Sequence, residues 1–390
     1  MSRPVILVAG GGTGGHVFAG LAVGRALADL ADVEVVFAGS PRGLESKVIP
    51  EAGFHLELLD VAPMKGGGLG RALSGGLTAL KATAASRALV SRFAPRAVLS
   101  VGGYAAGPVS LAAALAGVPL AVLEPNAVLG FANKLLAPFA ARAYVAWDEV
   151  SASFRKGRSR RLGVPLRPGF EPREYVQHAP KRVLVLGGSQ GASALNERLP
   201  EALGGVAQRF AGIEVVHQVG RGKADVVSAA YARAGVTGAR VLEFVDDVPG
   251  ALEGADLVIA RAGALTVAEI AAVGRAAILV PFPHAADDHQ AKNALALEAA
   301  GGCVCVRQEA ATVVRLEREI GDLLADDARR RAMADAARCA GRPGAARDIA
   351  KDLLELARVR ATRAGASEGG EGERSGGVPG GMEASCSAAE

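Results

Sequence analysis

The stretch "ILVAGGGTGGHVFAGLAVGRAL", Ile6 to Leu27, sets a histidine directly behind a glycine-rich turn. An imidazole titrates near neutrality, so His16 is the first candidate for moving a proton. Val5 to Ala9 reads as a short apolar strand, Gly10 to Gly15 as a turn, and Val17 to Leu27 as a helix. A strand, a glycine turn and a helix start together present backbone N–H groups to an anion or a polar oxygen. Gly10, Gly12 and Gly15 also satisfy the dinucleotide pattern G-x-G-x-x-G.

The partner that this pattern requires is missing. A dinucleotide site places Asp or Glu at the end of the second strand to hold the ribose hydroxyls. Here "VEVVFAGS" ends in Ala38, Gly39 and Ser40, with Glu34 too early on the strand. No Gly-Lys-Ser/Thr closes the loop either, which excludes a P-loop. The loop is expected to meet an anion or polar group without being either standard motif.

The elements that must position such a loop are legible along the chain. Apolar strands alternate with helices throughout, which predicts parallel sheets. The pattern restarts after about residue 162, where "KRVLVLGGSQGASALNERLPEAL" repeats strand, glycine turn and helix. At 390 residues the chain is long enough for two cores, because single cores stop growing near ~250–300 residues. Two tandem Rossmann-like domains facing across a cleft are predicted: an N-terminal domain over 1–162 and a C-terminal domain over 163–342. A C-terminal helix over 343–361 and a disordered glycine-, serine- and glutamate-rich tail over 362–390 follow. The turn-rich "RRLGVPLRPGFEP" reads as the hinge.

Composition narrows the partners. Aromatic residues at 4% are too sparse for base-stacking platforms, so no nucleic acid is expected. The net charge of +4 suits an anionic small substrate or a phospholipid surface. Cys303, Cys305, Cys339 and Cys386 form no C-x-x-C pair, which fits a reduced cytoplasmic protein without structural zinc. The chain enters its first strand without a charged n-region followed by an apolar run, so no signal peptide is expected. The uncharged run from Ala97 to Leu123 could span a bilayer by length. Its glycines, Pro108 and Pro119 divide it instead into strand, helix and strand.

Six motifs, "GGGTGGHVFAG", "SVGGYAAGP", "GGSQGAS", "FVDDV", "RAGALTVAEIAAVGRAAILVPFP" and "DDHQAKNA", occur in an order and spacing that resemble the MurG family. These are peptidoglycan glycosyltransferases of the glycosyltransferase B architecture. The resemblance covers roughly residues 4 to 358. It implies an inverting transfer of N-acetylglucosamine from UDP-N-acetylglucosamine to the C4 hydroxyl of undecaprenyl-pyrophosphoryl-N-acetylmuramoyl-pentapeptide. No metal and no cofactor are implied.

The resemblance also assigns roles by position. His16 is the base, and Thr13, Gly14 and Gly15 line the acceptor side, where the lipid pyrophosphate is expected. Ser189, in the turn from Gly187 to Ala192, and the helix start Ala264, Leu265, Thr266, Val267 and Ala268 face the donor diphosphate. Glu269 accepts from the ribose hydroxyls, and the backbone of Val245 pairs with the uracil edge. Gln290 and Asn126 read the sugar, and Arg167 stands near the donor. Read as residues alone, each has a plainer alternative: a loop cap for His16, a solvated helical side chain for Glu269, a strand end for Val245, a turn residue for Asn126 and an exposed amide for Gln290. His217, in mid-strand, reads as structural.

The chain departs from the family where "LEPN" replaces His-Glu-Gln-Asn and "GVP" replaces Gly-Asn-Pro. Pro125 and Val164 are thereby expected to remove polar groups near the cleft, and Ala19 replaces a frequent proline. Two other kinds of protein fit the same architecture: another UDP-sugar enzyme, either a lipid glucosyltransferase or a UDP-GlcNAc 2-epimerase, and a non-catalytic nucleotide-sugar sensor. Lastly, Met64 to Phe93 carries Lys65, Arg71, Lys81, Arg87 and Arg92 without an acidic residue, among Leu69, Leu73, Leu77 and Leu80. That pattern predicts peripheral docking on an anionic membrane surface, the cytoplasmic face of the inner membrane, although an ordinary packed helix shows the same periodicity.

Overall fold

The computed structural model describes residues 3–60, 82–103 and 105–361. The N-terminal domain runs β1 (Val5–Gly10), α1 (Gly14–Leu30), β2 (Glu34–Gly39), α2 (Glu45–Glu51), β3 (His55–Leu58), α3 (described over 82–93), β4 (Ala97–Gly102), α4 (Ala106–Leu115), β5 (Leu120–Glu124), α5 (Phe131–Leu136), β6 (Arg142–Val145) and β7 (Ser159–Arg161). Among the described residues its seven strands are all parallel, in the order β3-β2-β1-β4-β5-β6-β7. β4 and β5 lie at the centre and are buried throughout. A parallel strand covered by helices on both faces has no position for a charge, so the uncharged run 97–123 is a βαβ unit. Among the described residues no helix is long and apolar enough to cross a membrane.

The C-terminal domain runs β8 (Arg182–Leu186), α6 (Ser193–Arg209), β9 (Glu214–Gln218), α7 (Ala224–Arg233), β10 (Ala239–Leu242), α8 (Val248–Glu253), β11 (Leu257–Ala260), α9 (Ala264–Val273), β12 (Ala277–Leu279), α10 (His289–Ala299), β13 (Cys303–Cys305), α11 (Val313–Ala325) and α12 (Asp327–Ala340). Its six parallel strands follow the order β10-β9-β8-β11-β12-β13. Both sheets reverse their order beside their first strand, β1 or β8. The glycine turns after those strands therefore open at the switch points where such sheets bind ligands.

The segment that joins the domains is fastened to the back of the second one. Arg275 is buried, and its guanidinium donates to the carbonyls of Leu252 at 3.0 Å, Gly274 at 2.7 Å, Glu253 at 3.0 Å and Arg173 at 3.2 Å. The Asp256 carboxylate accepts the N–H groups of His178 at 2.9 Å and Arg182 at 2.8 Å.

The last helix, α13 (Ala345–Leu356), returns to the first domain. Ile349, Ala350, Leu353 and Leu354 are buried in one core with Val23 and Leu27 of α1. Tyr144 of β6 donates to Asp352 at 2.8 Å, and Arg142 pairs with the same carboxylate at 3.3 Å. An amphipathic helix must bury its apolar stripe, and here the partner is the domain the chain left earlier.

Candidate active site

The first glycine turn is shaped by backbone that only glycine adopts readily: φ is +139° at Gly10, +153° at Gly11 and +89° at Gly12. The pairing of β1 with β4 shifts register between Ala9 and Gly10, where the turn begins. The Gly11 N–H donates to the Gly102 carbonyl at 3.1 Å, so the turn after β4 packs against the turn after β1. Side chains at Gly10 or Gly103 would collide with the backbone of the opposite turn. Tyr104 lies outside the described residues.

α1 starts earlier than its sequence pattern suggests. Thr13 is the N-cap and Gly14, Gly15 and His16 form the first turn, so His16 belongs to the helix rather than preceding it. The Thr13 hydroxyl makes no capping bond to the backbone. Its Oγ1 lies 3.2 Å from His16 Nδ1 instead. His16 Nε2 packs over Gly102, where an added Cβ would stand 3.0 Å away. Burial depresses the His16 pKa below its ordinary 6.5 and His289 adds to this, while Glu124, a backbone hydrogen bond at Gly11 and Glu45 oppose it. Burial is the largest of these effects and favours the neutral imidazole.

A buried carboxylate that sequence reasoning did not single out braces this side. Glu124, at the end of β5, accepts at Oε1 from the Asn126 backbone at 3.1 Å and side chain at 3.0 Å. Its Oε2 accepts from Gly130 at 2.8 Å and from Asn133 Nδ2 at 3.0 Å. A charged residue closing the apolar run "PLAVLE" was the available signal. Asn293 of α10 then crosses from the other domain: its Oδ1 accepts the Ala127 N–H at 2.7 Å, and its Nδ2 reaches Asn126 Oδ1 and the Ala262 carbonyl, each at 3.2 Å. One fully buried amide thus ties the loop after β5 to the turn before α9.

In the second domain, Gly263 caps α9 and the Val267 N–H donates back to its carbonyl at 2.9 Å. Ala264, Leu265 and Thr266 are the first three helical residues, whose N–H groups have no acceptor within a helix. Glu269, one turn on, faces the same space. Burial lifts its pKa to about 7, and the charge of Arg167 holds it down only in part. Arg167 itself is exposed, with its guanidinium 5.5 Å from the Phe170 ring. Gln290 accepts the Phe282 N–H at 3.0 Å, which leaves its amide nitrogen for other partners.

One cleft of about 1590 Å³ gathers these groups. Thr13, Gly14, Gly15, His16 and Asn126 line it from the first domain. Arg167, Ser189, Ala264, Leu265, Thr266, Glu269 and Gln290 line it from the joining segment and the second domain. Val267 is buried in the core and Ala268 and Val245 lie off the cleft wall; the Val245 N–H stands 3.4 Å from Gln218 Oε1. Val164, expected to bear on the cleft, is buried in the core of the second domain beside Leu166 and Phe170, whereas Pro125 does line the cleft. Ala19 is buried in the α1 core. His217 is buried with Nδ1 2.9 Å from the Tyr231 hydroxyl, and burial drives its pKa down to about 3, which agrees with a structural role. Among the described residues no group of three or more His, Cys, Asp or Glu is placed to hold a metal.

Residues 6–145 match the glycosyltransferase family 28 N-terminal domain and residues 182–353 its C-terminal domain. A relative from Sorangium cellulosum (strain So ce56) is 51% identical over 92% of this chain and 90% of its own length. It is named UDP-N-acetylglucosamine--N-acetylmuramyl-(pentapeptide) pyrophosphoryl-undecaprenol N-acetylglucosamine transferase. The chain belongs to glycosyltransferase family 28, in its MurG branch. The crystal structure of Acinetobacter baumannii MurG superimposes on this family 28 chain with a TM-score of 0.77 at 32% identity, covering 90% of this chain and 99% of that one. A UDP-GlcNAc 2-epimerase from Neisseria meningitidis, bound to UDP-GlcNAc, reaches a TM-score of 0.63 at 13% identity over 90% of this chain and all of its own. That likeness shows a common fold alone. The two-domain family 28 architecture agrees with the doubly wound domains predicted from the repeat of strand, glycine turn and helix.

Proposed function

We propose that this family 28 glycosyltransferase moves N-acetylglucosamine from UDP-N-acetylglucosamine to the C4 hydroxyl of lipid-linked N-acetylmuramoyl-pentapeptide, inverting the anomeric centre. The observation that carries the reading is the single cleft, with His16 on one wall and the free N–H groups of α9 beside Glu269 on the other. Donor and acceptor would meet there with the base on the acceptor side.

In the tautomer that donates from Nδ1 to Thr13 Oγ1, His16 Nε2 is the acceptor nitrogen. The C4 hydroxyl of the acceptor gives its proton to Nε2 as its oxygen bonds the anomeric carbon. The bond from that carbon to the phosphate oxygen breaks, and UDP leaves with the electron pair. The charge that develops on the diphosphate falls where the amides of Ala264, Leu265 and Thr266 and the guanidinium of Arg167 meet the cleft. Glu269 receives the ribose hydroxyls, Gln290 and Asn126 the sugar, Ser189 a donor phosphate oxygen, and the Val245 backbone the uracil edge. Those roles come from the family resemblance, and twelve of the fifteen positions line the cleft.

The acceptor carries a polyprenyl chain, which calls for an apolar approach to the cleft. Phe131 and Leu135 on α5 and Leu115 on α4 are 63%, 58% and 66% exposed, and Phe139 is exposed as well. Phe131 and Leu135, four residues apart, share one face of α5 beside Lys134, and Phe139 lies in the short 3-10 turn that follows. A surface of that kind supports peripheral contact with an anionic bilayer at its cytoplasmic face. Lys65, Arg71, Lys81 and the leucines between Leu69 and Leu80 lie outside the described residues. Of the basic run that remains, Arg87 is exposed, and Arg92 pairs with Glu57.

Incubation with labelled UDP-N-acetylglucosamine and the lipid-linked muramoyl acceptor tests the reading. Formation of a disaccharide-lipid is expected. Release of free 2-epimerised sugar, or binding without turnover, would point to the epimerase or the sensor.

A further inference from the structure

The geometry points to Glu45 as a positioning residue for transfer: its carboxylate fills the anion site of the first glycine turn from inside the protein and so sets the turn that aims His16. Glu45 is the first residue of α2 and is buried. Its Oε2 accepts the Gly12 N–H at 2.7 Å and its Oε1 accepts the Ser40 N–H at 2.9 Å. The carboxylate lies in a slot walled by glycines. A Cβ added to Gly11, Gly39 or Gly43 would overlap the Glu45 side chain. Three glycines, one in the first turn, one ending β2 and one in the turn after it, thus leave room for one carboxylate, and both of its oxygens end on backbone donors.

This arrangement answers why the first domain has a dinucleotide-like turn and no acid at the end of β2. Glu45 supplies the negative charge that the turn would otherwise take from a ligand, and it arrives from the following helix. Gly12 precedes the N-cap Thr13, and His16 is three residues beyond, so a carboxylate that pins Gly12 also pins the helix start carrying the imidazole. The Gly12 N–H is occupied. The groups left for an acceptor anion are the Gly14 and Gly15 amides, since the His16 N–H already donates to the Thr13 carbonyl at 3.1 Å.

The inference rests on the reading of His16 as the base. Its test uses Glu45→Gln, which keeps the volume but turns one acceptor oxygen into a donor facing an N–H. A second variant, Gly43→Ala, leaves Glu45 in place and puts a methyl where its carboxylate stands. Both should lower kcat about 10- to 100-fold, the scale of a misplacement near 1 Å, while KM for UDP-N-acetylglucosamine stays within about twofold. The groups facing His16 are Glu124, Glu45, His289, the Gly11 backbone and Thr13 Oγ1, and Glu45 is one of the two anions that hold its pKa up. The acid limb of the kcat–pH profile should therefore move to lower pH in Glu45→Gln, which a merely structural role would not cause.

Protection from heat by UDP-N-acetylglucosamine reports a folded donor domain. If Glu45→Gln lacks it, Gly43→Ala decides. His16→Ala, run alongside, separates the two readings. Near-normal turnover there removes the base that the turn is said to aim. Loss of turnover there, with kcat within about twofold of wild type in both other variants, overturns the Glu45 inference alone.

Discussion

Between about pH 8 and about pH 6, UDP-N-acetylglucosamine should lose affinity roughly tenfold, because Glu269 protonates in that window. Burial holds its carboxyl up at about 7 against an ordinary 4.5. The ribose hydroxyls are donors, and only the ionised carboxylate accepts from both of them. With a pKa of about 7, roughly nine-tenths of the free protein carries the anion at about pH 8 and roughly one-tenth at about pH 6, a difference of ~1.4 kcal/mol in binding. Calorimetry with the intact sugar nucleotide is the suitable assay, since its diphosphate is esterified at both ends and does not titrate there. Glu269→Gln should bind more weakly at high pH and show a nearly flat dependence. Without ligand the sign of stability is opposite. The unfolded glutamate loses its proton near 4.5 and the fold keeps it up to about 7, so Glu269 contributes stability below 4.5 that is lost as the pH rises to 7. A wild-type affinity that stays constant across the window, or an equal slope in Glu269→Gln, would refute the assignment.

His16→Ala should lower turnover by roughly 10²–10⁴ and leave UDP-N-acetylglucosamine affinity unchanged, and the acid limb of the wild-type rate should fall below the ordinary histidine value of 6.5; calorimetry and a kcat–pH profile check both. Replacing Phe131 and Leu135 by Asp should abolish cosedimentation with anionic vesicles, and raised salt should release the wild type, as expected at ~1 kcal/mol per basic residue near the surface; equal binding by both proteins would place docking elsewhere. Leu353→Ala, at a fully buried contact between α13 and the first domain, should cost about 2–5 kcal/mol in denaturant unfolding, and a cost near zero would mean that the helix is only loosely attached.

The doubly wound sheets were legible because a parallel strand buried on both faces must be a short apolar run. Val98 to Val101 and Leu120 to Leu123 could be little else once Pro119 separated them. The glycine turns were equally plain, and with them the positions of His16, Ser189 and Ala264 to Thr266. Long-range partners were not. "GLESKV" announces a helix start with an acid in its first turn, and nothing local says that Glu45 reaches back to Gly12, 33 residues earlier. Asn293 sits in the motif "DDHQAKNA", but its bridge to Asn126 exists only once two domains face each other. The pattern of α13 shows that one face is buried but not against which domain, because an apolar stripe has no address.

The return of α13 has a mechanical consequence. The chain passes between the two domains twice, once beyond β7 and once between α12 and α13, so the halves of the cleft are joined by two strands of backbone rather than one. A single tether permits bending and twisting in any direction. Two tethers side by side act as a door hinge, leaving rotation about the line through them and resisting torsion. Opening and closing about that line is therefore expected to be the softer motion, and sliding of one wall past the other the stiffer one. Distances between paired spin labels should therefore change across the cleft mouth when sugar nucleotide binds and stay constant between α1 and α13.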